Sequence, residues 1–441
     1  MTASAAGHLS EKGRGLLQRI AAAPLETTLA VTGFVAIAVH ILDDNFSQPQ
    51  PGTAADDHLV SGLVPAAVFL GAAALYARLR AGARAALALA LGVLGIGIGV
   101  GEAGYYTLVE GPSGDDFTGL LAIPAGLVLV GVGVTTLWRS RRRDGSLLRR
   151  SVRRGLLVLG AALLFAVVVF PLCIAYAFTH TARAEVPAPD LGAAHEDVTF
   201  KTSDGLTLRG WYVPSKNRAA VVVFPGRKGR QRQTRMLVRH GYGVLLFDRR
   251  GEGESDGDPN IFGWAMDRDL KAASAFLQRR PEVDASRIGG LGLSVGGEML
   301  LQTAAESATY KAVVSEGAGS RSVREDLDKP RTREDVLALP MSFVQTGGIA
   351  LFSNHTPPPS LVDLTGRISP RPVFLIFATH GTGGEEKQLN PKYYAAAGAP
   401  KQIWEIPESG HTGGIEARPR EYERRVVGFF DRALLPERGA P

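Results

Sequence analysis

Gly289-Gly290-Leu291-Gly292-Leu293-Ser294-Val295-Gly296-Gly297-Glu298-Met299-Leu300-Leu301 is the stretch that decides how this chain folds. An apolar run opening at Arg287-Ile288 ends at Leu293, and the residues from Gly297 read as a helix, so Ser294 stands on a strand-to-helix turn. Such a turn strains the serine backbone and lifts its hydroxyl clear of the sheet. Glycines at 292 and 296 let strand and helix approach without a Cβ between them. In a chain with 53 glycines the pattern Gly-x-Ser-x-Gly carries weight only through its surroundings.

Those surroundings alternate between strand and helix. After a Pro/Ala-rich linker at about 181–194, Ser203-Asp204-Gly205 separates two strand-like runs, Val198 to Thr202 and Leu206 to Val213, as a hairpin. Short apolar runs follow at Ala220 to Phe224, Gly243 to Phe247, Ile288 to Leu293, Ala312 to Ser315, Val373 to Phe377 and Gln402 to Ile406. Helical stretches are expected at about 231–241, 264–279, 296–306, 391–397 and 421–434. This rhythm predicts an α/β domain, a mostly parallel sheet covered by helices on both faces. The long stretch at about 317–368, with Thr356-Pro-Pro-Pro-Ser360, breaks the rhythm and reads as a cap or lid.

Four motifs in order complete the picture: Phe224-Pro-Gly226 after the third strand, Asp248-Arg-Arg-Gly-Glu-Gly-Glu-Ser255 after the fourth, Gly292-Leu-Ser-Val-Gly296 after the fifth, and Ser409-Gly-His411 after the last. On these residues, about 195–436 resembles the α/β-hydrolase family, most closely its esterase and serine-aminopeptidase-like branch. The resemblance implies an eight-stranded-type sheet and a Ser-His-acid triad with Ser294 as nucleophile. A serine hydroxyl needs a base within hydrogen-bond reach and a carboxylate to orient that base. The resemblance makes His411 the base; His380 competes, but in the slot the family reserves for the acid. That slot reads Ala378-Thr-His-Gly-Thr-Gly-Gly-Glu385-Glu386 and lacks the family's aspartate. Glu385 or Glu386 is expected to replace it, with Glu385 preferred, and Glu316 after the sixth strand is the alternative. The resemblance implies an oxyanion hole from the backbone N–H groups of Val295 and Arg227, with Pro225 where many relatives carry histidine. It gives Asp248 a bracing role. Arg227, Lys228, Arg230, Arg232 and Arg235 read as a solvated face, with attraction of an anionic substrate or lipid headgroup as the alternative.

The first 180 residues differ in kind. Apolar stretches near 25–42, 58–77, 83–101, 117–138 and 155–178 are each about long enough to cross a bilayer, and predict an all-α domain of five transmembrane helices. Lys12, Arg14 and Arg19, then Arg78, Arg80 and Arg84, then Arg139, Arg141, Arg142, Arg143, Arg149, Arg150, Arg153 and Arg154 fill alternate loops, which are expected to be cytoplasmic. The other loops carry Asp43, Asp44, Asp56 and Asp57, then Glu102, Glu110, Asp115 and Asp116, without Lys or Arg. Five spans from a cytoplasmic amino terminus place the hydrolase-like half outside the cytoplasm. Gly95 with Gly99, and Gly97 with Gly101, share helix faces and suit close packing between helices. His40 and Glu102 read as interfacial groups at span ends.

The net charge of +6 follows from the arginine loops and calls for membrane lipids, not nucleic acid, as its partner. The single cysteine, Cys173, excludes an intrachain disulfide. No metal-ligand spacing, phosphate loop or nucleotide fingerprint occurs, so neither metal nor cofactor is expected. The leading expectation is a membrane-anchored serine hydrolase that cleaves an ester or amide of a small molecule, lipid or peptide. The alternatives are a peptidase of the aminopeptidase-like branch and a receptor whose hydrolase-like domain only binds.

Overall fold

The computed structural model describes residues 25–104, 107–108, 117–140, 146–181, 183, 185–227, 231–329 and 332–436; of residues 102, 103 and 117 only the backbone is described. Lys12, Arg14, Arg19, Glu110, Asp115, Asp116, Arg141, Arg142, Arg143, Lys228 and Arg230 lie outside the described residues. The chain forms two compact units, one of residues 1–48 and 58–173, the other of 49–57 and 174–441.

The first unit is helical. Leu25–Leu42, Leu59–Leu75, Ala81–Gly99, Phe117–Arg139 and Leu147–Leu164 are its long helices. Through a one-turn π segment, Phe165–Val169, the last continues into Phe170–Thr179, giving a 33-residue apolar rod. All five expected stretches are helices long and apolar enough to cross a membrane. Arg149, Arg150, Arg153 and Arg154 ride on the first turns of the last rod, behind the N-cap Ser146, instead of lying in a loop before it. Small residues set the packing: a Cβ on Gly92 would come 2.9 Å from the Gly126 carbonyl, and one on Gly126 would come 2.6 Å from that of Gly92. Gly95 faces Ile37, and Gly99 faces the carbonyl of Gly119. His40 is buried, 3.4 Å from the Thr118 hydroxyl.

The second unit is built on an eight-stranded sheet in the order β1-β2-β4-β3-β5-β6-β7-β8. The strands are β1 Glu196–Lys201, β2 Thr207–Val213, β3 Ala220–Phe224, β4 Gly243–Phe247, β5 Ile288–Leu293, β6 Ala312–Glu316, β7 Val373–Ala378 and β8 Lys401–Ile406. Pairings β1/β2 and β2/β4 are antiparallel, and every other pairing is parallel. Strands β3 to β7 are buried along their whole length, as a sheet covered on both faces requires. Alternate residues feed opposite cores. Ala220, Val222 and Phe224 join Tyr212, Leu270, Leu300 and Tyr393 on one face, while Val221 and Val223 join Trp211, Leu237, Val426 and Phe430 on the other.

One expectation about an element needs correction. The helix expected to open at Pro391 opens at Glu385 and holds the proline in its interior. Proline is at home in a first turn, which made it look like the start; the start is set by Gly384, whose φ of +95° only glycine adopts freely. The stretch at 317–368 holds the helices Val323–Asp328, Arg333–Ser353 and Leu361–Leu364. Arg333–Ser353, the cap helix, starts at a capping box between Thr332 and Asp335 and ends at Asn354 in the left-handed region. It matches the five amino-terminal helices in length and apolarity. Yet β6 before it and β7 after it are neighbours in register, Val313 opposite Val373 and Glu316 opposite Ile376. Two strands of one sheet cannot sit on opposite sides of a membrane, so length and apolarity do not make this helix a span.

Candidate active site

β5 delivers Ser294 to the carboxyl edge of the sheet. Its φ of 54° and ψ of −129° show the strained turn at the mouth of the helix Val295–Glu306. The flanking glycines are obligatory here for a reason of distance. A Cβ on Gly292 would come 2.3 Å from the Gly296 carbonyl oxygen, and one on Gly296 would come 2.3 Å from that of Phe224. Both obstacles are backbone, which has no rotamer through which to yield.

His411 lies in the loop after β8 and brings Nε2 to 2.8 Å from Ser294 Oγ. On the other side of the ring, Nδ1 lies 2.6 Å from Glu386 Oε1 and 3.1 Å from Thr382 Oγ1. With Nδ1–H donated to the carboxylate, Nε2 is the nitrogen free to accept the serine proton. Hydrogen bonding to Glu386, ahead of the opposing effect of burial, raises the His411 pKa above its ordinary 6.5.

The carboxylate beside the histidine is therefore Glu386, not the preferred Glu385. Glu386 is fully buried, and its Oε2 accepts the Ala378 N–H at 2.9 Å at the end of β7. Room for it exists because residue 381 is glycine: a Cβ there would come 1.9 Å from Glu386 Oε1. Glu385, one position earlier on the same first turn, points toward the cap and pairs with Lys329 and the Ser320 N–H. Consecutive helical residues point about 100° apart, so only one of the two can reach the histidine. Glu316 accepts the Gly414 N–H at 2.8 Å and the Tyr422 hydroxyl at 2.6 Å, which ties down the segment following His411. His380 is exposed.

The oxyanion expectation holds up unevenly. Val295 is the first residue of its helix, and a first-turn N–H has no acceptor within the helix. The Arg227 N–H, by contrast, donates to Asp248 Oδ1 at 2.7 Å, so it is already engaged with a carboxylate. Asp248 also receives Nε and Nη2 of Arg227 at 2.9 and 2.7 Å, while Ser255 Oγ donates to its carbonyl at 2.8 Å. It braces the loops after β3 and β4. With Glu254 bound as well, and the Arg227 guanidinium over the Trp211 ring at 5.3 Å, that arginine is buried and neutralised. Arg232 and Arg235 pair with Glu416 and Asp190. A basic patch open to an anionic ligand is not what these three residues form.

Glu298 escaped the sequence reading. It is buried on the first turn of the helix behind Ser294, accepts the Gly319 N–H at 2.7 Å, and is pushed by burial up to about 7. A carboxylate inside a helical pattern looks like an ordinary solvated residue; here its acceptor role toward the segment after β6 goes with burial. Among the described residues no group of His, Cys, Asp and Glu is arranged to hold a metal ion.

Residues 181–334 match the model of the X-Pro dipeptidyl-peptidase (S15) family. The protein YfhR of Salmonella typhi is 27% identical over 256 residues, 55% of this chain and 83% of its own. A polyketide transferase, GrgF of a Penicillium species, is 31% identical over 153 residues, 33% of this chain and 51% of its own. The Pyrococcus furiosus esterase Pf2001 superposes with a TM-score of 0.46 at 23% identity, over 58% of this chain and 100% of its own. The strand order and the serine turn between β5 and its helix give the second unit an α/β-hydrolase fold, and the matched family model covers part of that unit.

Proposed function

We propose that this chain is a membrane-anchored serine hydrolase that cleaves ester bonds. The observation that carries the proposal is the unbroken line of hydrogen bonds from Ser294 Oγ through His411 to Glu386. Ser294 Oγ attacks the substrate carbonyl while its proton passes to His411 Nε2; the imidazolium then protonates the departing alkoxide, and water repeats both steps to release the acid. Glu386 holds the ring in one tautomer and stabilises the imidazolium. The Val295 N–H offers one donor to the developing oxyanion.

Peptide cleavage is the second reading, and the match to a dipeptidyl-peptidase family over 181–334 favours it. The acyl chemistry is common to both. Purified full-length protein, assayed on matched ester and amide substrates with an X-Pro dipeptide among them, separates the two. Ester turnover lost in Ser294→Ala supports the proposal; ester turnover that survives in the purified variant refutes it. A folded wild type inert to all substrates and to phosphonates is what the binding-only reading requires.

The five helices suited to crossing a membrane support anchoring. An extracytoplasmic hydrolase is supported by the arginine distribution and by the loop between the first two helices. Pro51 accepts the Gly257 N–H at 2.7 Å, Gln50 accepts Arg183 Nε at 3.2 Å, and the Asp57 carbonyl accepts Asn354 Nδ2 at 2.7 Å. A loop so joined to the hydrolase unit lies on the same side of the membrane, as an odd number of spans after the amino terminus requires.

A further inference from the structure

The cap helix carries an apolar stripe that none of the described residues covers. Val336, Pro340, Phe343 and Gly347 follow the spacing i, i+4, i+7, i+11, which is one helix face, and all four are exposed; Leu337 beside them is 76% exposed. The opposite face, with Thr346, Gly348, Ile349 and Phe352, is buried on the domain. No charged residue occurs between Val336 and Ser353. A helix with one face packed and the other apolar and bare is built to meet a second surface.

The carboxyl end of the same helix shows which surface. The Phe352 ring meets the Tyr176 ring edge-on at 5.3 Å, and Asn354 Nδ2 donates to the Asp57 carbonyl at 2.7 Å. Tyr176 lies in the last turn of the 33-residue apolar rod that ends at Thr179, and Asp57 lies in the short 3-10 turn that leads into Leu59–Leu75. Both are residues at the mouth of a membrane span. Where those helices cross a membrane, the cap helix is held beside two of their ends, and it spans about 30 Å from that point at 1.5 Å per residue.

We propose that the stripe Val336, Leu337, Pro340 and Phe343 rests in the surface of the bilayer that this chain's own helices cross, so that the cap admits substrates carrying an acyl chain from the membrane. The proposal rests on the reading of the amino-terminal helices as spans and on that of Ser294 as nucleophile. It assigns the cap two anchors: the stripe in lipid, and the Lys329 pair with Glu385 that ties the segment before the helix to the first turn bearing Glu386. The apolar stripe is then a binding device for lipid esters, which a soluble ester does not need.

The test uses full-length protein in phosphatidylcholine vesicles, with Cys173→Ala removing the single native thiol. An environment-sensitive fluorophore at Leu337→Cys or Phe343→Cys is expected to emit as in an apolar medium and to be quenched by lipids bearing nitroxide on the acyl chain; the same probe at Glu408→Cys is expected to be quenched by aqueous iodide only. Leu337→Ser with Phe343→Ser is expected to cut hydrolysis of a vesicle-borne long-chain ester at least tenfold while leaving a short soluble ester unchanged. Aqueous quenching at both stripe positions overturns the proposal, as does protection that depends on protein concentration, which signals a second copy. Phosphonate labelling of Ser294 in each variant separates these outcomes from failure of the catalytic reading.

Discussion

Two adjacent glutamates with different fates carry the sharpest consequences at the scale of the residue. Glu386→Gln replaces the acceptor for His411 Nδ1–H with a side chain that can hold the wrong tautomer, and is expected to lower kcat by about 10⁴-fold. Glu385→Gln, which loses only the Lys329 and Ser320 contacts, is expected to leave kcat near wild type. Gly381→Ala drives a Cβ into Glu386 Oε1 and is expected to reproduce the Glu386→Gln defect in a protein that still binds phosphonate slowly. The base must be neutral to accept the serine proton, so activity rises with pH through the His411 pKa. Because Glu386 raises that pKa, the acid limb is expected above 6.5 in wild type and lower in Glu386→Gln, measured as kcat/KM against pH on a fast ester. The sequence shows that an acid stands at 385 or 386, but not which. Helix phase decides that, and the phase depends on a helix start at Gly384 that Pro391 disguised.

Among the elements, strands were the most legible. Each of the eight runs expected as strands, from Val198 to Ile406, is a strand of the sheet, because buried parallel strands need continuous apolar residues. The cap was legible only as an interruption, since its long helix Arg333–Ser353 lacks, beyond its first turn, the charged face that marks a helix at a protein surface. The second oxyanion donor was misassigned because an N–H is read from motif position alone, while the carboxylate that engages the Arg227 N–H comes from a different loop. The helix behind Ser294 has a testable property of its own. Burial raises the Glu298 pKa from 4.5 to about 7, so the folded state binds a proton there that the unfolded chain has released; stability falls as pH rises across that interval. Glu298→Gln is expected to flatten this fall, visible as a smaller drop in Tm between pH 5 and pH 7 measured on both proteins. An unchanged pH profile would exclude Glu298 as its source. Gly296→Ala, against the Phe224 carbonyl, is expected to destabilise by about 1–3 kcal/mol or more, as overpacking does, and denaturant unfolding measures it.

The whole molecule joins two readings that the sequence kept apart. Hydropathy alone delimits the helical unit, whereas the assignment of residues 49–57 to the hydrolase unit depends on long-range bonds such as that from Gly257 to Pro51, which no local pattern encodes. With Cys173→Ala as background, a thiol placed at Asp56 and one at Glu408 are both expected to react with an impermeant maleimide from outside intact cells, and one at Arg80 only after lysis; a divided result for the first two would contradict their shared side, and labelling at Arg80 alone would reverse the topology. The central claim, an activated Ser294, is tested most directly by treating membranes with a fluorophosphonate and mapping the adduct by mass spectrometry. The account predicts a single adduct on the peptide containing Ser294, absent in Ser294→Ala and strongly slowed in Glu386→Gln. A folded wild type that takes up no label, or labels equally in Ser294→Ala, would contradict it.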